Sequence, residues 1–271
     1  MLNSSAKYLT LVKNIKRYGR VAVAFSGGVD STLVLYAALR AVGEANVHVF
    51  CGSSELVTRI ERCAAKEMLR ELQVPEKCIS EIVLHPLDWP EFVQNDHERC
   101  YFCKKRMYHK FITEGKKLNF RTLLDGSNSD DAKGHRPGTQ AIQELGVKTP
   151  LLDAGLSKKE IRFLARKYKF SNHAKVSNSC LATRITEGEP ITSKQLGRIE
   201  KCELFLIGKE LFGFRVNPEG NDVVLRCSAE NSRKVMYSTI HADIIRFLRA
   251  NGFERVLLDM DFRKNYLTEV S

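Results

Sequence analysis

The sequence predicts an α/β fold: a doubly wound parallel sheet, with a smaller α+β domain at its C-terminal end. Strand-like apolar runs alternate with helical patterns through the first two-thirds of the chain, which is the order that lays helices over a parallel sheet. A glycine pair stands where the first of these strands gives way to a helix. With 271 residues, 43% of them hydrophobic, the chain has material for one large domain or two unequal ones. The boundary is expected between 1–185 and 186–271.

The first strand is residues 20–25, RVAVAF, and a helical stretch follows at 32–42. A strand at 46–51, a helix at 55–72 and a strand at 79–85 continue the alternation through short loops. After Pro86 and Pro90 come a cysteine pair, a basic helix at 103–118 and a fourth strand at 121–124 ending in Asp125-Gly126. Ser157 and Glu160 are spaced as a capping box ahead of a helix at 158–168. From 171 to 191 periodicity is weak and Ser, Thr, Asn and Gly are frequent, which suits an active-site segment or a passage between domains. A helix at 193–207, strands at 212–216 and 223–227, a helix at 235–250 and a strand at 255–258 form the smaller domain.

Composition narrows the function. Lys and Arg number 43 against 32 Asp and Glu, a formal charge of +11, so the expected partners are anions: nucleotides, carboxylates, phosphates or RNA. No apolar run approaches the roughly 20 residues of a membrane-spanning helix, and the hydrophobic fraction is too high for a disordered chain. The first twenty residues are basic but lack the apolar stretch and cleavage site of a secretory signal, so a cytoplasmic protein is expected. Eight unevenly spaced cysteines then suit metal or catalytic chemistry better than a disulfide scaffold.

Ser26-Gly27-Gly28-Val29-Asp30-Ser31 occupies the first strand-to-helix turn. Two glycines let the backbone turn tightly and bring N–H groups up to an anion, and the helix N-terminus adds its positive end. No lysine follows the glycines, so this is not a Walker A loop. Ser26 and Ser31 can donate hydroxyl hydrogen bonds, and Asp30 can hold Mg²⁺ beside the phosphates. The end of the second strand, including Ser53, is expected across the switch point of the sheet, bordering an adenosine. The loop resembles the SGGxDS element of the adenine-nucleotide α-hydrolase superfamily, whose members split ATP to AMP and pyrophosphate.

Cys100 and Cys103 form a CxxC flanked by Arg99, Lys104, Lys105 and Arg106. A basic setting at a helix start favours thiolate. Without a second CxxC a Cys₄ zinc ribbon is disfavoured, and Cys180 is the third candidate ligand. Three thiolates on a [4Fe–4S] cluster leave one iron open to an exogenous sulfide. A structural zinc completed by Cys180 and a histidine such as His97, or a transient disulfide, remain alternatives. Cys51, Cys63, Cys78, Cys202 and Cys227 read as small core residues.

Together these segments resemble the LarE family, the sulfur-insertion enzymes of the lactate racemase nickel-pincer cofactor pathway. The likeness spans SGGVDS, Glu98 to Lys105, Asp125-Gly126-Ser127-Asn128-Ser129-Asp130-Asp131, Arg136-Pro137-Gly138, Glu144-Leu145-Gly146-Val147, Pro150-Leu151 and Cys180-Leu181-Ala182-Thr183-Arg184. The resemblance implies ATP-dependent adenylation of a pyridinium biscarboxylate mononucleotide, followed by attack of sulfur to give a thiocarboxylate. It implies that Ser26, Gly27, Gly28, Asp30 and Ser31 hold the ATP phosphates, with Asp130 and Asp131 an acidic pair near the nucleotide. Some members sacrifice a cysteine matching Cys180; others, carrying the extra CxxC, bind a [4Fe–4S] cluster through three cysteines. This chain resembles the second kind, so Cys100, Cys103 and Cys180 are the expected cluster ligands and inorganic sulfide or another sulfur donor the expected partner. Arg136 and Arg184 are forks for substrate anions, although Arg136 can equally be a solvated loop charge and the aspartates turn formers. A small anionic nucleotide-like substrate and a homo-oligomer are expected.

The C-terminal third departs from that pattern. Where the family shows two arginines around one valine, this chain has Arg215-Val216-Asn217, and a later Arg-Ile-Glu segment is replaced by Val224-Leu225-Arg226-Cys227. Glu200, Glu203, Arg215 and Asp259 stand as further candidates, each also readable as a structural surface or interface residue. Other readings of the same motifs are a cluster-dependent tRNA thiolase, an ammonia-dependent ligase of the NAD or GMP synthetase branch, and a nucleotide-sensing module.

Overall fold

Short β-branched and small residues fill the first strand, and such a strand is stable only when both of its faces are covered. In the computed structural model, which describes residues 2–131, 137–175, 179–237 and 239–263, it takes an inner place in a four-stranded sheet. β1 (Val21–Ala24), β2 (Val47–Ser53), β3 (Ile79–Val83) and β4 (Thr122–Leu124) lie in the order β3-β2-β1-β4, and every pair is parallel. Alternation along β1 sends Val21 and Val23 to one face and Ala22 to the other.

Helices cover both faces. On one, α1 (Leu2–Lys16), α2 (Val29–Val42), α3 (Arg59–Glu71), a short α7 (Pro150–Asp153) and α8 (Lys158–Lys167) bury Leu11, Ile15, Leu33, Leu69, Leu151 and Leu164 against Val21 and Val23. On the other, α5 (Arg99–Lys117) and α6 (Pro137–Glu144) bury Tyr108, Phe111 and Ile142 against Ala22 and Phe50. The expected doubly wound α/β class is therefore the observed one. Lys148 bridges Leu124 in parallel fashion and extends the sheet beyond β4.

Contacts divide the chain into two compact units. The first comprises Met1–Ser54, Arg59–His85 and His97–Lys175; the second comprises Glu55–Thr58, Pro86–Asp96 and Val176–Ser271. Within the second lie α4 (Pro90–Val93), α9 (Ser193–Gly208), α10 (Ala229–Met236) and α11 (Ile240–Ala250), with a sheet ordered β5 (Arg215–Glu219), β6 (Asp222–Arg226), β7 (Val256–Leu258). β5 and β6 form an antiparallel hairpin and β6 pairs β7 in parallel. Pro218 is tolerated in β5 because that strand is an edge. Among the described residues no helix is long and apolar enough to cross a membrane.

Several boundaries differ from the sequence expectation. α1 lies where the sequence shows a run of positive charge, yet Tyr8, Leu11, Val12 and Ile15 share the spacing of one helical face, and Leu11 and Ile15 are fully buried. The helix expected from 55 begins at Arg59, since 55–58 belongs to the other unit, where Leu56 accepts a hydrogen bond from the Leu181 N–H. The basic helix starts at Arg99, so the CxxC sits in its first turns and not ahead of it. The helix expected at 235–250 is two helices, the first capped by Ser228 accepting from the Asn231 N–H. The strand expected at 212–216 begins only at Arg215. Cys63, expected in the core, is exposed on α3, whereas Cys202 and Cys227 are buried. The Ser157/Glu160 capping box forms as the spacing predicts.

Candidate functional site

Chain order places the first three strands on one side of the sheet and β4 on the other side of β1, so the topological switch lies between β1 and β4. Ser53, expected across the switch point beside an adenosine, ends β2, and its side chain is bonded to Glu81. The loop after β1 turns through Gly27 at φ +72, where a Cβ would stand 2.7 Å from the Ala65 Cα. Only glycine meets both demands. Gly28 is the N-cap of α2 and has no side chain with which to cap, so the first N–H groups of that helix are left for an external acceptor.

The loop is braced from inside and outside. Ser26 and Ser31 hydroxyls are 3.2 Å apart, and Ser31 donates to the Gly28 carbonyl at 3.1 Å. Asn172 Nδ2 donates to the Gly27 carbonyl at 3.1 Å and to Thr32 Oγ1 at 2.9 Å. Asn172 lies in the weakly periodic segment, where a loop asparagine carries no signal by itself. From the β4 side, a Cβ on Gly126 would lie 3.0 Å from the Ser31 nitrogen, so the Asp125-Gly126-Ser127 turn presses directly on the loop.

Asp125 anchors that turn. It is buried, accepts from the Ser127 N–H at 2.7 Å and from the Ser127 and Tyr108 hydroxyls, and lies 3.4 Å from Lys104 Nζ. Burial opposes its ionisation, but Lys104, Ser127 and Tyr108 together hold the carboxyl below its ordinary value. Lys104 and Tyr108 belong to α5, the helix that carries Cys100 and Cys103. The turn that presses on the glycine loop and the CxxC helix are thereby joined through one carboxylate.

Asp30 follows the glycines on the first turn of α2. Its Oδ2 accepts from Lys158 Nζ, and its Oδ1 is 3.5 Å from Asn128 Nδ2. Burial pushes this carboxyl up, Lys158 opposes the shift and Asp131 adds to it. Asp131 accepts from the Asn128 N–H at 3.0 Å, and Asp130 accepts from the Lys158 N–H at 2.8 Å. The structure thus gathers Asp30, Asp130 and Asp131 around the loop, and it adds Lys158, which in the sequence only opens the helix at 158–168. Arg136 lies outside the described residues.

The candidate cluster ligands divide between the units. Cys100 is exposed and Cys103 half-buried on α5, with Arg99 Nη2 3.9 Å from the Cys100 sulfur; His97 is exposed. Cys180 is half-buried in the second unit, at the N-cap of the short 3₁₀ turn Leu181–Arg184. Among the described residues no group of three or more His, Cys, Asp or Glu side chains is arranged to hold a metal ion.

Arg184 is 1% exposed, and its fork, expected to meet a substrate anion, meets Glu203 instead: Nε to Oε1 at 2.8 Å and Nη2 to Oε2 at 3.2 Å. Nη1 donates to the Ser179 and Cys180 carbonyls and to the Ser179 and Thr183 hydroxyls. Arg184 therefore fixes the backbone that presents Cys180, and Glu203 is the buried counter-charge that permits it. Arg215 lies near Cys180 as well; burial, then the Arg263 and Arg184 guanidiniums, lower it to about 10. Asp259 is held by Arg226 at 2.8 Å, and Glu200 is half-buried.

No family model matches the chain. A pyridinium-3,5-bisthiocarboxylic acid mononucleotide synthase of Lactiplantibacillus plantarum is 29% identical to it, over 96% of this chain and 92% of that protein. The chain is a relative of the LarE-type synthase. The similarity extends to uncharacterised proteins of Synechocystis sp., 29% identical over 89% of each chain, and of Methanocaldococcus jannaschii, 27% identical over 96% of this chain and 98% of the other. The LarE resemblance read from the motifs thus runs across both units.

Proposed function

We propose that the protein is an ATP-dependent sulfurtransferase that adenylates a carboxylate and replaces one of its oxygens with sulfur. The observation that carries this reading is the loop at the β1/β4 switch point, where an uncapped helix end, two serine hydroxyls and Asp30 converge. The relative that makes a bisthiocarboxylic acid mononucleotide supports sulfur transfer to a nucleotide-like acid as the chemistry.

The α2 N–H groups with Ser26 and Ser31 hold the ATP phosphates. Asp30, with Asp131 beside it, offers the hard oxygen donors that suit Mg²⁺, which when bound neutralises charge on the polyphosphate. A substrate carboxylate oxygen attacks the α-phosphorus, the bond to the β-phosphate bridge breaks, and pyrophosphate leaves with its electron pair. Sulfide then adds to the acyl carbon and AMP departs, leaving a thiocarboxylate. The Arg215 guanidinium, near Cys180 and with Arg263 beside it, suits an anionic acceptor such as a pyridinium biscarboxylate mononucleotide.

Thiolate donors suit iron–sulfur ligation, and the cysteines this chain offers are Cys100 and Cys103 on α5 and Cys180 on the loop fixed by Arg184. A [4Fe–4S] cluster held by these thiolates would supply an iron site open to exogenous sulfide.

The test is product analysis. Incubated anaerobically with Mg²⁺-ATP, sulfide and the biscarboxylate mononucleotide, the protein should form AMP and pyrophosphate, and Asp30→Ala should abolish both. ADP and phosphate as main products would overturn the reading. Iron and sulfide analysis of anaerobically purified protein, with Cys100→Ala, Cys103→Ala and Cys180→Ala, tests the cluster. Intact-mass analysis after turnover tests whether Cys180 keeps its sulfur; a chain lighter by one hydrogen sulfide at that position makes the cysteine itself the donor.

A further inference from the structure

We infer that Asn172 is a positioning residue: it locks the Gly27–Gly28 peptide so that the N–H of that peptide, and not its carbonyl, faces the side of the loop open to an anion. The inference rests on the ATP-cleaving reading above.

The two glycines that allow the turn also leave that peptide unlocked. Turning a peptide plane over changes ψ of the residue before it and φ of the residue after it, and the resistance comes from the Cβ atoms on either side. Here both flanking residues are glycine, and this is the one Gly-Gly pair in the sequence. A trans peptide points its C=O and N–H in opposite directions, so one orientation offers an anion a donor and the other an oxygen that repels it. Within the loop the first is favoured by a long contact, Gly28 N–H to Ser26 Oγ at 3.4 Å.

Asn172 makes the choice from behind. It is 8% exposed, and both protons of its Nδ2 are engaged, one on the Gly27 carbonyl at 3.1 Å and one on Thr32 Oγ1 at 2.9 Å. The Thr32 hydroxyl in turn donates to the Gly28 carbonyl at 2.9 Å. Two successive loop carbonyls are thus drawn to the buried side, one directly and one through Thr32, and the Gly28 N–H points to the exposed side. The amide cannot be turned over, since its oxygen would then face the Gly27 carbonyl with no proton between them. Its Oδ1 is buried with no hydrogen-bond partner among the described residues, an unfavourable placement that the fold tolerates for the two donors opposite it. The backbone around Asn172 is held as well: the Ser171 N–H donates to Glu71 at 3.1 Å, and Arg162 donates to the His173 and Lys175 carbonyls at 2.7 and 2.9 Å.

The sequence supplies its own probe. In protein labelled with carbonyl-¹³C, ¹⁵N-glycine, Gly27-Gly28 is the one directly bonded carbonyl–nitrogen pair that carries both labels, so an HNCO spectrum of the free protein should hold one correlation. In the parent its amide proton should be strongly relaxed by a soluble gadolinium chelate. Asn172→Asp keeps the shape but sets a carboxylate oxygen against the Gly27 carbonyl; the peptide should flip and the relaxation should fall. Calorimetric binding of α,β-methylene-ATP should then weaken by about 100-fold, which corresponds to about 1% of the protein in the competent orientation. Asn172→Ala removes the lock without the repulsion and should leave about 10–30% competent, a loss of about three- to tenfold. Thr32→Val added to Asn172→Ala should weaken binding little further, because both residues act through one chain of bonds. A role in packing alone predicts the reverse order, with Ala worse than Asp, and that order would overturn the inference. So would an Asn172→Asp amide that stays as strongly relaxed as the parent's, since its weaker binding would then be charge repulsion only. A parent that does not bind the analogue would instead defeat the ATP-cleaving reading, and the gadolinium comparison on the free protein would still report whether Asn172 sets the peptide.

Discussion

Breaking the Arg184–Glu203 pair should be among the costliest single changes in the second unit. Glu203→Leu strands a guanidinium that is 1% exposed, leaving Nε and Nη2 without the oxygens now at 2.8 and 3.2 Å. Arg184→Met leaves Glu203, 6% exposed, with the bond from the Val216 N–H at 3.2 Å and the nearby Arg215 guanidinium among the described residues. Removing one partner of a buried pair costs about 3–5 kcal/mol. At roughly 2–4 °C per kcal/mol for a chain of this size, each single variant should lose about 6–20 °C in Tm. The Arg184→Met/Glu203→Leu double variant removes both charges and replaces them with apolar side chains of similar reach, so its loss should be far smaller than the sum, with coupling of a few kcal/mol. An exposed pair supplies the contrast: Lys234 and Glu230, both more than half exposed and one helical turn apart, should yield at most about 0.5 kcal/mol. Denaturant unfolding of the four proteins measures the cycle. Single variants costing under about 1 kcal/mol, or additive losses in the double, would refute a buried, mutually dependent pair.

Gly27→Ala should weaken binding of a non-cleavable ATP analogue, measured by calorimetric titration, because the added Cβ meets the Ala65 Cα at 2.7 Å in addition to the strain of φ +72. Gly155→Ala, at φ +64 with nothing within 4 Å, carries a similar strain of about 1–2 kcal/mol without the collision and should bind the analogue normally. Asp125→Asn should lower stability at neutral pH. The carboxyl is held below its ordinary value, so its contribution is present above about pH 3.9 and disappears as pH falls through the folded-state value. The gap between parent and variant in urea midpoints should therefore close on acidification below pH 4, and a gap that widens there would reverse the assigned sign.

What the sequence determined by itself was local or periodic. RVAVAF, the glycine pair after it and the Ser157/Glu160 spacing dictate a strand, a tight turn and a helix start wherever they occur, because each acts through backbone geometry over a few residues. The tight glycine turn was legible for that reason, and so was the parallel order of the sheet. α1 was equally legible, since the 8, 11, 12, 15 spacing was present beneath the lysines. Tertiary structure alone decided which charges meet. Lys158 looks like any other lysine on a basic helix until packing of α8 against α2 sets it on Asp30, and Arg184 looks like a substrate fork until α9 brings Glu203 to it. It also decided that Cys180 belongs to a different unit from Cys100 and Cys103. Side-chain charges act through space and carry no periodicity along the chain, so their partners are fixed only when the apolar faces beneath them have chosen how to pack.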